Sequence, residues 1–195
     1  MSTTGKIRPK ITVRKFSEDA ISSYIEKLDD IEYSYPAEQE VLVHIDSYGG
    51  PVYGLFMLLD RLEAMPNPII TYTSSKAMSA GAFLLAIAGS KGCRFASEDA
   101  SILVHEVQTG AIGDIKDVED SIAHSKSLNE RLLNKFAKAI GKKNAAQIRE
   151  MIKSKVEGHD LTITAEDAKK LGIIDEVGSI NLQPYKRWNI VKIKK

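Results

Sequence analysis

Two β-branched runs, each closed by a turn of small residues and followed at once by an apolar helical stretch, constrain this chain more than any other feature. Residues 40–46, Glu-Val-Leu-Val-His-Ile-Asp, run into Ser47-Tyr48-Gly49-Gly50-Pro51 and then a helical pattern over about 52–65. Residues 69–73, Ile-Ile-Thr-Tyr-Thr, are followed by a polar turn from Ser74 to Ser79 and the apolar helix Ala80–Ala88, too short to span a bilayer. Strand, tight turn and helix repeated at this spacing make βαβ units, and their right-handed crossovers lay the strands parallel in one sheet. The fold class is α/β with a mainly parallel sheet. A strand over 11–14 and a helix opened by Ser17 precede these units, the helix marked by Ile21, Tyr24, Ile25 and Leu28 at three- and four-residue spacing. Residues 92–96 and Ser101–His105 read as two further strands, and 173–177 as the last.

The second half changes character. A loop over 108–114 leads into a long helical pattern from about 115 to 140, stopped by Gly141. Its charges spread around much of the circumference, so it projects or packs on another subunit. A helix over about 145–155 follows. Thr164-Ala-Glu-Asp167 has capping-box form for a short helix ending at Gly172. The tail over 184–195 alternates basic and apolar residues, among them Trp188, Ile190 and Ile193, and reads as an edge strand before a groove cover. At 195 residues the chain is expected to form one domain over 1–180, with a basic-apolar tail over 181–195.

Lys plus Arg 27 against Asp plus Glu 26 leaves a net charge of +1, so no overall field recruits nucleic acid or an anionic membrane. The single Cys93 excludes an internal disulfide and a thiolate metal centre, and a reducing, cytoplasmic setting is expected. No stretch approaches 18 consecutive apolar residues, and residues 1–10 lack a signal-peptide core. No metal and no organic cofactor is expected.

Three features bear on reactivity. Ser79 stands at the onset of the helix Ala80–Ala88, where outward-pointing amides serve both an attacking oxygen and a nearby oxyanion. On position alone it is equally an N-cap serine. Gly49-Gly50 follows a strand at the carboxyl edge of a parallel sheet, where positive φ brings an amide up to a ligand; alone it is also an ordinary βα turn. His105 ends its strand at that same edge, and a neutral imidazole is the base a serine hydroxyl needs. His44 inside a strand, His124 inside the long helix and His159 in a polar loop have blander readings.

The stretches Ser47-Tyr-Gly-Gly-Pro-Val52, Ala77-Met-Ser-Ala-Gly-Ala-Phe-Leu-Leu85, Ile102-Leu-Val-His105 and Leu161-Thr-Ile-Thr-Ala-Glu-Asp-Ala-Lys-Lys-Leu-Gly-Ile-Ile-Asp175 resemble, in order, blocks of the ClpP family of serine peptidases. The resemblance covers about 41–177 and implies a crotonase-like spiral of βαβ units. The helix over 115–140 then corresponds to the protruding handle that joins rings face to face. Carried over by residue, it implies Ser79 as nucleophile, His105 as general base, Asp160 as the carboxylate that orients it, and the amides of Gly50 and Ala80 as the oxyanion hole. Gly49, Thr109, Gly110 and Ala111 would flank the substrate, bound as an added strand. The activity implied is serine endopeptidase cleavage of peptides or unfolded proteins, through an acyl-enzyme inside a ring-shaped homo-oligomer.

The chain departs from the family pattern at identifiable places. Tyr48 stands where members carry Pro, and Pro51 follows the glycines. Glu106-Val107 replaces the usual Gln-Pro after the histidine, and Asp160 lies between His159 and Leu161 instead of charged neighbours. Glu106 and Asp114 are fallback acids. The axial N-terminal segment that engages an AAA+ unfoldase is not identified, so cleavage is expected to be ATP-independent or ATPase-assisted. Three alternatives stay open: a Ser/Lys dyad using Lys76, an inactive paralogue or assembly factor, and an acyl-CoA enzyme of the wider crotonase fold.

Overall fold

The computed structural model describes residues 9–154, 160–181 and 189–191. The strands β1 (Lys10–Val13), β2 (Val41–Ser47), β3 (Ile69–Met78), β4 (Arg94–Ala96) and β7 (Glu176–Val177) run parallel in that order across one sheet. Helices α1 (Glu18–Ser34), α2 (Val52–Ala64) and α3 (Ala80–Ala88) connect the first four. Val41, Val43 and Ile45 of β2 alternate toward these helices and are fully buried with Leu28, Leu55, Leu58 and Leu85. Leu42, Ile70 and Phe95 form a smaller cluster apart from this core, against which Ile180 packs. α3 has no polar face because all of residues 80–86 are buried.

The strand β3 is longer than its composition suggests. The polar stretch expected to be a turn from Ser74 to Ser79 continues as strand to Met78. The reason is a register shift: Ile45 pairs with Thr73 but Ser47 with Ala77, so β3 carries two more residues than β2 over that interval. Beyond this bulge β3 leaves β4 and pairs Lys76–Met78 with β5 (Ser101–His105). A strand that the sequence left unassigned, β6 (Asp160–Thr164), adds antiparallel to β5 and sets His105 opposite Asp160. The last parallel strand is shorter than expected, β7 beginning only at Glu176. β8 (Ser179–Asn181) pairs antiparallel with β9 (Asn189–Val191), placing part of the tail in a two-stranded ladder. Trp188, Ile193 and His159 lie outside the described residues.

The long helix α4 (Ile115–Ala139) is capped by Asp114, which accepts from the Asp117 amide. Its first half is largely exposed, with Ile115 and Ile122 open to solvent, and its second half buries Leu128, Leu132, Leu133 and Phe136. α5 (Ala145–Lys153) packs on that base, and α6 (Ala165–Lys170) is capped by Thr164. Arg94 joins these parts. Its guanidinium pairs with Asp175 through Nη2 at 2.6 Å and Nε at 3.0 Å, while Nη1 donates to the carbonyls of Ala86 and Ala139 at the ends of α3 and α4. Burial pushes the Asp175 carboxyl up, but the Arg94 hydrogen bonds and charge outweigh it and hold it below its ordinary value. Lysine keeps the charge but cannot reach all four acceptors. Arg94→Lys is expected to lower stability by about 1–3 kcal/mol, read as the shift in denaturation midpoint at unchanged m. An unshifted midpoint would show that the fork does not tie the helix ends together.

Candidate active site

Ser79 is where strand becomes helix in a single residue. Its amide continues the β3–β5 ladder, donating to the Leu103 carbonyl at 2.8 Å. Its carbonyl already accepts from Ala82 and Phe83 at 2.9 and 3.2 Å, which starts α3. Serving both elements at once forces φ 53° and ψ −123°, the only positive φ at a non-glycine position among the described residues. Such a conformation costs about 1–3 kcal/mol and persists only where the flanking structure over-determines it. The Ser79 side chain caps nothing, and its Oγ has no hydrogen-bond partner among the described residues.

The glycine turn is fitted against this serine. Gly49 sits at φ 107°, and a Cβ there would lie 2.6 Å from Ser79 Cβ and 3.0 Å from its Oγ. Ser47 pins the turn, its hydroxyl donating to the Arg14 carbonyl at 2.9 Å and accepting from the Gly49 amide at 3.1 Å. The next amide, Gly50, finds no acceptor among the described residues, nor does that of Ala80 in the first turn of α3. Gly50, Ala80, Ser79 and His105 line one cavity of about 470 Å³, walled on its apolar side by Val52, Leu55, Phe83, Val107 and Leu132. Gly49→Ala must move Ser79, and a displacement near 1 Å is expected to lower kcat about 10²-fold in a fluorogenic-peptide assay. An unchanged kcat would show that the close approach of Gly49 is dispensable.

His105 closes β5 on the same cavity. Its Nδ1 lies 2.5 Å from the Glu106 carbonyl oxygen, which can only accept, so in this contact Nδ1 is the donor. No hydrogen bond joins His105 to Ser79 Oγ in the isolated chain. Asp160 is the register partner of His105 across β5 and β6, yet it is exposed and accepts no hydrogen bond from a described residue. The structure therefore gathers Ser79, His105, Gly50 and Ala80 at one cavity, with Gly49 behind the serine and Asp160 on the neighbouring strand.

Residues 106–112 belong to no strand. Within them Gln108 reaches the cavity, while Thr109, Gly110 and Ala111 continue past it, Thr109 Oγ1 accepting from Ser125 of α4 at 3.0 Å. The two fallback acids are engaged elsewhere: Asp114 caps α4, and the Glu106 carboxylate accepts from Asn129 and Arg149. Lys76 is bound to Asp46 at 2.7 Å, with its ammonium 4.6 Å from the centre of the Tyr48 ring. The Asp46 hydrogen bond raises Lys76 above its ordinary value and lowers Asp46 below its own, the reverse of what a lysine base requires. Tyr48, in place of the family's proline, thus presents its ring to the Lys76 ammonium.

The other described histidines are occupied. His44 bonds Ser74 Oγ at 3.0 Å and stacks on Tyr72, and burial, then the nearby Lys10 charge, lowers its pKa. His124 of α4 bonds the Tyr53 hydroxyl of α2. Asn129 and Arg149 escaped the sequence reading, since no local pattern marks partners 23 and 43 residues from Glu106. Among the described residues there is no cluster of metal-ligating type, and no helix is long and apolar enough to cross a membrane.

The family model for Clp protease matches residues 10–181, a span that contains the whole cavity and every strand from β1 to β8. A match over that much of the chain, with the glycine turn, the strained serine and the strand-end histidine inside it, shows that the chain belongs to the Clp protease family, a family of peptidases.

Proposed function

We propose that this protein is a serine endopeptidase that cleaves peptides or unfolded chains inside a ring of its own copies. The observation that carries the reading is Ser79 itself: a strained serine at a strand-to-helix turn whose side chain makes no cap bond, facing a cavity it shares with His105 and two amides that have no partner among the described residues. His105 Nε2 takes the Ser79 proton as Oγ attacks the scissile carbonyl, and the amides of Gly50 and Ala80 receive the oxyanion. The imidazolium returns its proton to the leaving amine. Water then attacks the acyl-enzyme by the same route, with Asp160 stabilising the charge on the ring. Residues 108–111, outside any ladder, support binding of substrate as an added strand past Thr109, Gly110 and Ala111. The exposed first half of α4 supports its reading as the handle through which rings meet.

We read one domain over 1–180, with 181–195 as its tail. Size-exclusion chromatography with light scattering tests the assembly: hydrolysis of an unstructured peptide is expected to co-elute with a ring-sized species. Hydrolysis confined to the monomer fraction would contradict it.

A further inference from the structure

The proton on His105 Nδ1 is held by a main-chain carbonyl, and that carbonyl belongs to a residue clamped from two helices. Glu106 accepts on its carboxylate from Asn129 Nδ2 of α4 and from Arg149 Nε of α5, the latter at 3.1 Å. Asn129 turns its other end back on the same strand extension, its Oδ1 accepting from the Val107 amide at 2.9 Å. Asn129 is buried, 8% exposed, so each of its polar ends is matched where mismatch is costly. Arg149 is itself steadied by Glu130, at 2.8 Å. The peptide unit between Glu106 and Val107 is thereby fixed on both sides, and with it the oxygen that faces the imidazole.

We propose that Asn129, with Arg149, is a positioning residue for the histidine: it holds the Glu106 carbonyl where it keeps His105 in the Nδ1–H form, with the basic Nε2 turned to the Ser79 cavity. This rests on the reading of His105 as general base, but its first consequence is a tautomer and does not require turnover. In water a neutral histidine favours the Nε2–H form, so a locked Nδ1–H form needs an acceptor held in place. Glu106 acts here through its shape and its backbone, not as a negative charge on the ring, because both donors on its carboxylate come from the handle side.

The test uses the full-length protein labelled with ¹⁵N-histidine, with the His105 resonances assigned by their loss in His105→Ala. The expected result is the Nδ1–H tautomer in the wild type and in Glu106→Gln, whose amide oxygen still accepts from Asn129 and Arg149. In Asn129→Ala and in Arg149→Gln, the milder surface variant, the Nε2–H form is expected to gain. Labelling of Ser79 by a fluorophosphonate should slow about 10- to 100-fold in Asn129→Ala and in Glu106→Ala, and Glu106→Gln should recover most of the rate lost in Glu106→Ala. An Nε2–H tautomer in the wild type, or an Nδ1–H tautomer unchanged in both clamp variants, overturns the proposal. A Glu106→Gln protein as slow as Glu106→Ala overturns it too, since the charge and not the clamp would then matter. A wild type that shows the Nδ1–H form but no Ser79 adduct would instead count against the peptidase reading alone.

Discussion

Ser79→Ala is expected to lower peptide hydrolysis by about 10⁵- to 10⁶-fold while KM and the assembled size stay as in the wild type. On the proposed mechanism the loss is large because Ser79 is the attacking group and two other serines of the same strands are engaged elsewhere. Ser47 is buried, with its hydroxyl bonded to the Arg14 carbonyl, and Ser74 is engaged by His44. The residual rate would come from the Gly50 and Ala80 amides acting on a bound substrate with water as nucleophile. The fold should tolerate the change, since Ser79 Oγ bonds no described residue and caps nothing. The backbone contacts that define the turn, to Leu103, Ala82 and Phe83, are all main-chain. Hydrolysis within tenfold of wild type, measured on a fluorogenic peptide, would mean that another group attacks.

Asp160→Asn is expected to cost about 10²- to 10³-fold in kcat. Where an aspartate alone sets the histidine tautomer, removing its charge costs about 10⁴, much of it because the ring adopts the wrong form. Here the Glu106 carbonyl already holds the proton on Nδ1, so the variant should lose the charge that stabilises the imidazolium while keeping the tautomer. The measurement is kcat on the assembled enzyme, with His105→Ala for comparison. A loss of 10⁴ or more would place the tautomer under Asp160 alone, and an unchanged kcat would leave the imidazolium without a carboxylate partner on β6.

What could be read from the sequence follows from how local each signal is. α3 and β5 emerge with the expected ends, Ala80–Ala88 and Ser101–His105, because an unbroken apolar helix and a short apolar run each carry their own boundaries. Ser79 and Gly49-Gly50 announce themselves by small residues at a strand's carboxyl end. The expected end of β3 at Thr73 falls five residues short because the bulge that lengthens the strand lies between Thr73 and Ala77, where Ser74, Ser75 and Lys76 imitate a polar turn. β6 is illegible for a different reason. Its alternation of exposed and buried residues covers only five positions, and its pairing with β5 lies 56 to 63 residues away in the chain. Adjacency of Asp160 to His105 thus comes from topology, and the family resemblance reached it where periodicity could not. The Glu106 clamp had no local signal at all, since Asn129 and Arg149 look like ordinary positions on two helices until those helices are packed.

The most direct measurement is fluorophosphonate treatment of the purified, assembled protein, followed by mass-spectrometric mapping of the adduct, with His105→Ala as control. The account predicts one adduct per chain, on Ser79, lost or slowed by orders of magnitude in the control. An assembled ring that takes no adduct on Ser79, or an adduct that forms as fast without His105, would contradict it.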